Sequence, residues 1–135
     1  MCTVRLNVDE CWERLGASGH GVLATVHPER GVDAVPVVYV EAQRNLILPI
    51  DTVKAKTTVR LQRLTNLELD PRCVLLVEHW DREDWFKLWW VRVHGTATPT
   101  DAVYQELDRF EQYRQPGAVV GNLRLTPTEI TGWTA

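Results

Sequence analysis

Short apolar runs rich in β-branched residues, separated by turn-forming residues, dominate the chain, and only three stretches show helical spacing. The first covers residues 10–17. There Cys11, Trp12 and Leu15 share one face, Asp9 is the expected cap, and Gly16, Gly19 and Gly21 are expected to end the helix. Residues 21–27 then read as a strand, 28–31 as a turn with Pro28 early and Gly31 late, and 32–41 as a second strand. Pro36 cannot donate a ladder hydrogen bond, so it marks an edge, a bulge or a point where a ligand approaches. Residues 42–45 form a polar turn, and 46–50 a third strand. The pattern next predicts a helix over 56–69, with Val59, Leu61 and Leu64 apolar and Asp70-Pro71 as its stop. Residues 73–79 are a strand, 80–84 a charged loop and 86–98 a long strand. An amphipathic helix capped by Thr100 or Asp101 is expected over 100–112, and a last strand, interrupted by Pro127, over 123–133.

Strands joined by hairpin-length loops argue for a mainly β, α+β fold, a small antiparallel barrel with peripheral helices, rather than a parallel βαβ sheet. Without an internal repeat, low-complexity tract or flexible linker, the 135 residues read as a single domain. The composition, 44% hydrophobic and 24% charged, excludes a disordered chain. Fifteen basic against eighteen acidic residues give a net charge of −3, which argues against nucleic-acid binding driven by overall charge. No apolar stretch approaches the ~20 residues that cross a bilayer. Arg5, Asp9 and Glu10 interrupt what would be the apolar core of a signal peptide. The three cysteines, Cys2, Cys11 and Cys73, are widely spaced and form no Cys-x-x-Cys pair, so reduced thiols and a cytoplasmic location are expected.

Several chemistries lack their residues. Ser18 is the sole serine and lies in no Gly-x-Ser-x-Gly elbow, which excludes serine hydrolysis of that type. No phosphate loop of the Gly-x-x-x-x-Gly-Lys form occurs, and the glycines at 16, 19 and 21 precede a strand without the dinucleotide-binding order. His20, His27, His79 and His94 make no paired metal motif, so no metal site is expected. Cys73 sits in an apolar strand and reads as core.

Two features carry chemistry. Lys54, Lys56, Arg60 and Arg63 place four positive charges in ten residues of an otherwise acidic chain. On a continuous helix Lys56, Arg60 and Arg63 would share about 60° of arc. Lys54 would precede the helix, and Thr57 and Thr58 would add hydroxyls where helix amides favour a phosphate. Either this is a solvated basic face or it grips a ligand with several negative charges. The second feature is a concentration of tryptophans, with Trp80, Trp85, Trp89 and Trp90 close in sequence out of six in all. On a strand Trp89 and Trp90 face opposite sides, so one packs inward while the other covers a flat ligand or a second subunit.

Together these residues resemble the pyridoxamine 5′-phosphate oxidase-like superfamily of split β-barrel flavoproteins, and more closely its deazaflavin-dependent branch, which uses coenzyme F420. Residues 21–28 with 35–38 are similar to the family's opening hairpin. Lys54, Lys56 and Thr57, followed by Asn66 and Asp70-Pro71-Arg72, are similar to its phosphate-contacting loop and helix. Residues 88–97 are similar to its long central strand, and 131–133 to its closing one. The resemblance implies a homodimer with two cofactor sites at the subunit interface. Lys54, Lys56 and Thr57 would hold the cofactor phosphate, and Arg60 and Arg63 would meet a polyglutamyl tail. Thr25, Pro36 and Val37 would line the ring edge with Asn66 nearby, and Trp85 or Trp89 would come from the other subunit. It implies a cytoplasmic oxidoreductase that passes hydride to or from a small electron-poor substrate. The alternatives are an FMN-dependent oxidase or reductase and a non-catalytic flavin or deazaflavin binder. Pyridoxamine phosphate oxidase itself fits less well, because Arg114 and Arg124 are the only basic residues near the C-terminus. By chemistry alone, His27 and Tyr39 are candidate proton donors.

Overall fold

Alternation of apolar and polar residues builds most of the observed sheet. In β6 (Arg72–His79), Cys73, Leu75 and Val77 point into the core while Arg72, Leu76 and Glu78 face outward. The computed structural model describes residues 4–51 and 61–135. Its other strands are β1 (Val4–Arg5), β2 (His20–His27), β3 (Gly31–Val38), β4 (Val40–Ala42), β5 (Asn45–Asp51), β7 (Trp89–Thr100) and β8 (Val119–Thr134). All pairings are antiparallel, and the sheet runs β3-β2-β6-β7-β8-β5-β4, with β1 beside β8.

The two ends of that order are neighbours in sequence. β3 and β4 are parted only at Tyr39, where the chain leaves β2 and joins β5. Tyr39 fixes this corner from inside. It is fully buried, its N–H donates to the Gly19 carbonyl at 3.0 Å, and its hydroxyl donates to the Leu15 carbonyl at 2.7 Å. The result is a mainly β split barrel, as the strand pattern predicts. Leu23, Leu46, Leu75, Val91, Val93, Leu123 and Leu125 fill its interior.

The first helix, α1 (Val8–Ala17), starts two residues earlier than expected. Its cap is Asn7 rather than Asp9: Asn7 Oδ1 accepts the Glu10 N–H at 2.8 Å, and Glu10 Oε1 accepts the Asn7 N–H at 3.2 Å. Gly16 lies inside the helix and Gly21 inside β2, so neither ends it. Gly21 answers to close strand approach, since a Cβ there would stand 2.6 Å from the Leu76 carbonyl oxygen.

The second helix, α2 (Gln62–Leu69), packs against β2 and β7 and buries Asn66 and Leu67. Leu61 is extended (φ −60°, ψ 133°), so the helix expected over 56–69 begins only at Gln62 among the described residues, and the expected residues 56–60 lie outside them. The helix expected over 100–112 is also replaced. β7 continues to Thr100, pairing Thr98 with Arg124 and Thr100 with Asn122, and 3₁₀ turns follow at Gln105–Arg109 and Glu111–Tyr113. β-branched Thr98 and Thr100 flank Pro99, and that run favours extended backbone. The 3₁₀ turns still bury Leu107 and Tyr113 against Val40, Ala42 and Ile47, so the apolar pattern reports a covering segment of a different helical type. The expected strand start at Phe86 gives way to a 3₁₀ turn over Trp85–Lys87, with Asp84 accepting the Phe86 N–H at 3.0 Å.

Candidate functional site

Where α2 packs against β2 and β7, the structure brings together two of the residues singled out from sequence. Asn66 is fully buried, and its Nδ2 donates to Thr25 Oγ1 at 3.0 Å and to Asp33 Oδ2 at 2.9 Å. Its Oδ1 accepts from Gln62 Nε2 at 2.9 Å. Both amide hydrogens are thus used, one on β2 and one on β3. Asp33 is in turn held by Arg30, Nε to Oδ1 at 3.0 Å and Nη2 to Oδ2 at 2.8 Å. The bond from Arg30, and then that from Asn66, hold the Asp33 carboxyl below its ordinary range.

Thr25 and Asn66 therefore tie α2 to the β2–β3 hairpin. Asp33, Gln62 and Arg30 belong to the same network and were not anticipated from sequence. The hairpin register offered a signal for one of them: counting back from the turn sets Thr25 opposite Asp33.

The other expected residues are more dispersed. Pro36 is exposed on β3 opposite Val22, whereas the neighbouring Val37 is buried in the core. β3 ends the sheet order, so one edge of this strand has no strand partner among the described residues. Lys54, Lys56, Thr57 and Arg60 lie outside the described residues. Trp89 packs against the core, stacked on His79 (ring centroids 6.3 Å apart, 23° between planes), with the Arg14 guanidinium 5.5 Å from its centre. Trp90 lies on the opposite face under Arg92, as strand alternation requires. Trp85 is 56% exposed, meets Trp80 edge-on at 6.3 Å and is followed by Phe86, which is 73% exposed.

The two candidate proton donors are held differently. The Tyr39 hydroxyl is spent on Leu15, and burial pushes its pKa up to about 12. His27 Nδ1 accepts the N–H groups of Glu29 and Arg30, both at 3.0 Å, and so closes the β2–β3 turn. Among the described residues no group of His, Cys, Asp and Glu is arranged to hold a metal ion, and no helix is long and apolar enough to cross a membrane.

An antiparallel split barrel with a helix packed on β2 and β7 defines the structural class. Residues 8–134 match the family described as pyridoxamine 5′-phosphate oxidase, and the chain belongs to that family. Solved structures share the fold at low identity. An FAD-binding protein from Mesorhizobium loti is 18% identical, with 100% of this chain and 99% of that one covered and a TM-score of 0.75. An FAD-binding protein from Mycobacterium smegmatis is also 18% identical, with 99% of each chain covered and a TM-score of 0.63. A conserved hypothetical protein from Mycobacterium tuberculosis is 20% identical, with coverages of 96% and 85% and a TM-score of 0.67. No curated protein sequence matches the chain.

Proposed function

We propose that the chain is an oxidoreductase that binds coenzyme F420 at a homodimer interface and moves hydride to or from a small electron-poor organic substrate. The observation that carries this reading is the basic run from Lys54 to Arg63 inside a family-matched chain of net charge −3. The structure beside that run suits an anionic arm. α2 begins at Gln62 with no side-chain cap and no acidic residue in its first turn, an end whose helix dipole favours a negative charge. On this reading Lys54, Lys56, Thr57 and Arg60 hold the phosphate and the acidic tail. Pro36 and the edge of β3 that has no strand partner among the described residues meet the polar rim of the ring, while Thr25 and Asn66 hold the hairpin and α2 in register. Exposed Trp85 suits contact with a second subunit, and the exposed apolar pair Val22 and Leu76 on neighbouring strands suits a subunit contact. When bound, the cofactor supplies the hydride chemistry, and the protein fixes the ring and excludes water.

Two relatives of this fold are described as FAD-binding, which favours a second reading as a flavin-dependent oxidase, reductase or carrier. Titration of the apo-protein with FMN and with coenzyme F420, followed by tryptophan quenching, separates the two. Micromolar affinity for F420 that falls at least tenfold in Lys54→Ala and Lys56→Ala supports the first. Preference for FMN supports the second, and unchanged affinity in both variants removes the basic run from the site. Binding without turnover of any quinone, nitro or activated-alkene acceptor would identify a carrier.

A further inference from the structure

A groove of about 500 Å³ opens on the outer face of the sheet, away from the basic run in sequence and lined by β2, β3, β6, β7 and β8. Register lays a row of side chains across it: Ala24 opposite Val74, Val74 opposite His94, and His94 opposite Glu129. Val26 and Val32 complete an apolar wall. Volume and lining fall within the range of small-molecule pockets, roughly 300–1,000 Å³ with a few polar groups on an apolar surface.

The ladder beside this row is broken in a specific way. His94 pairs with Glu129 and Gly95 with Pro127, which leaves Thr128 as the extra residue of a bulge. Thr128 Oγ1 donates to the His94 carbonyl at 3.1 Å, while Pro127 has no N–H to give. The strands approach so closely that a Cβ on Gly95 would stand 2.3 Å from the Thr126 carbonyl oxygen. Bulges re-aim neighbouring side chains, and the residue adjoining this one is His94.

His94 Nδ1 is sealed from solvent and has no hydrogen-bond partner among the described residues. A proton on that atom would be buried and unbonded, so the neutral ring carries its proton on Nε2. His94 lines the groove with the apolar Ala24, Val26, Val32 and Val74 and the polar Thr25, Arg72, Thr128 and Glu129, and Nε2–H is the one donor its neutral ring has to give. Its rim is mixed in charge. The Arg72 guanidinium is engaged by Asp70 at 2.7 Å, and Glu129 has no ion-pair partner among the described residues, which disfavours an anion.

We propose that this groove binds a small, uncharged, ring-containing organic molecule whose carbonyl oxygen accepts a hydrogen bond from His94 Nε2. The groove's lining includes Thr25, which the cofactor reading also uses, but the proposal rests on His94 and the apolar row beside it. It is tested on the full chain by ¹H–¹⁵N spectra during titration with 1-tetralone and with tetralin, its counterpart without the carbonyl. Tetralone should shift the amides of Ala24, Val74 and His94 and bind about tenfold more tightly than tetralin, as expected for one hydrogen bond made in an apolar site. His94→Phe should remove that preference while leaving tetralin binding in place, and His94→Gln, which returns an N–H donor, should recover most of it. Equal affinities in the native protein overturn the proposal, as do shifts confined to other residues, no shifts at all, or a preference that survives in His94→Phe.

Discussion

Asn66 and Asp33, one on α2 and the other on β3, meet at 2.9 Å, with the amide donating to the carboxylate. The same amide donates to Thr25 and accepts from Gln62, so one fully buried side chain joins three elements. Replacing it by a group of similar size but no polarity strands all three partners. Asn66→Leu is therefore expected to cost about 1–3 kcal/mol and to lower the melting temperature by roughly 2–8 °C, read by circular dichroism. Because Asp33 shares the interaction, the double variant Asn66→Leu/Asp33→Ala should lose less than the two singles added together.

The acid limb of stability should report Asp33. Arg30 and Asn66 bind its ionised form, so its folded pKa lies below the ordinary 3.8. A depressed carboxyl contributes stability that is complete above the unfolded pKa and is lost as pH falls through the folded one. Melting temperatures measured from pH 6 to pH 2.5 should therefore fall below about pH 4, and Asp33→Asn should flatten that fall while lowering the plateau.

What could be read from sequence tracks the range of the interaction. β6 was legible because Cys73, Leu75 and Val77 alternate with outward residues over a whole strand, and the β2–β3 turn because Pro28 and Gly31 punctuate it. The cap of α1 was misplaced because Asp9 and Asn7 are both capable caps, and only the reciprocal bond with Glu10 decides between them. Residues 100–112 have a genuine apolar pattern, but Leu107 and Tyr113 satisfy it from 3₁₀ turns, which periodicity does not distinguish over so short a span. The partners of Asn66 lie 33 and 41 residues away, beyond any local pattern, and the groove around His94 depends on a bulge in strands joined only through the 3₁₀ segment.

Gly95 should tolerate no side chain. A methyl group there meets the Thr126 carbonyl, and Leu125 Cδ2 lies 2.8 Å from the same point, so the β7–β8 ladder would have to part. Gly95→Ala is expected to cost about 1–3 kcal/mol, the usual scale of overpacking, and should broaden or shift the His94 and Thr128 amide resonances. Gly16→Ala is the control: nothing lies within 4 Å of its added Cβ. It stands inside α1, where alanine is favoured over glycine, so it should be neutral or stabilising by up to about 1 kcal/mol.

Cys73 should be chemically silent in the folded protein. It is buried, and burial pushes its thiol up to about 12, while Cys11 is raised for the same leading reason. The reactive species is the thiolate, so both depressed ionisation and lack of access slow alkylation. Iodoacetamide at pH 8 followed by peptide mass mapping should label Cys73 at least about a hundredfold more slowly in buffer than in guanidinium. Labelling at equal rates would mean that β6 opens from β2 and β7 without global unfolding.

The β4–β5 hairpin turns on two residues, Gln43 and Arg44, both left-handed (φ 53° and 61°), where asparagine and glycine are the usual occupants. The two positions differ in what they give back. Arg44 places its guanidinium 5.1 Å from the Trp12 ring centre and 3.4 Å from Asp9, whereas Gln43 is exposed. A cation–π contact at such a site contributes about 0.5–1 kcal/mol, comparable to the backbone strain that glycine would relieve. Gln43→Asn is accordingly expected to stabilise by about 0.5 kcal/mol, because it relieves strain and removes no contact. Arg44→Gly should come out near zero, because the relief is offset by the loss of Trp12 and Asp9. Thermal melts of the two variants beside the native chain measure the difference, and a larger gain for Arg44→Gly than for Gln43→Asn would show that the Trp12 contact contributes nothing to the folded state.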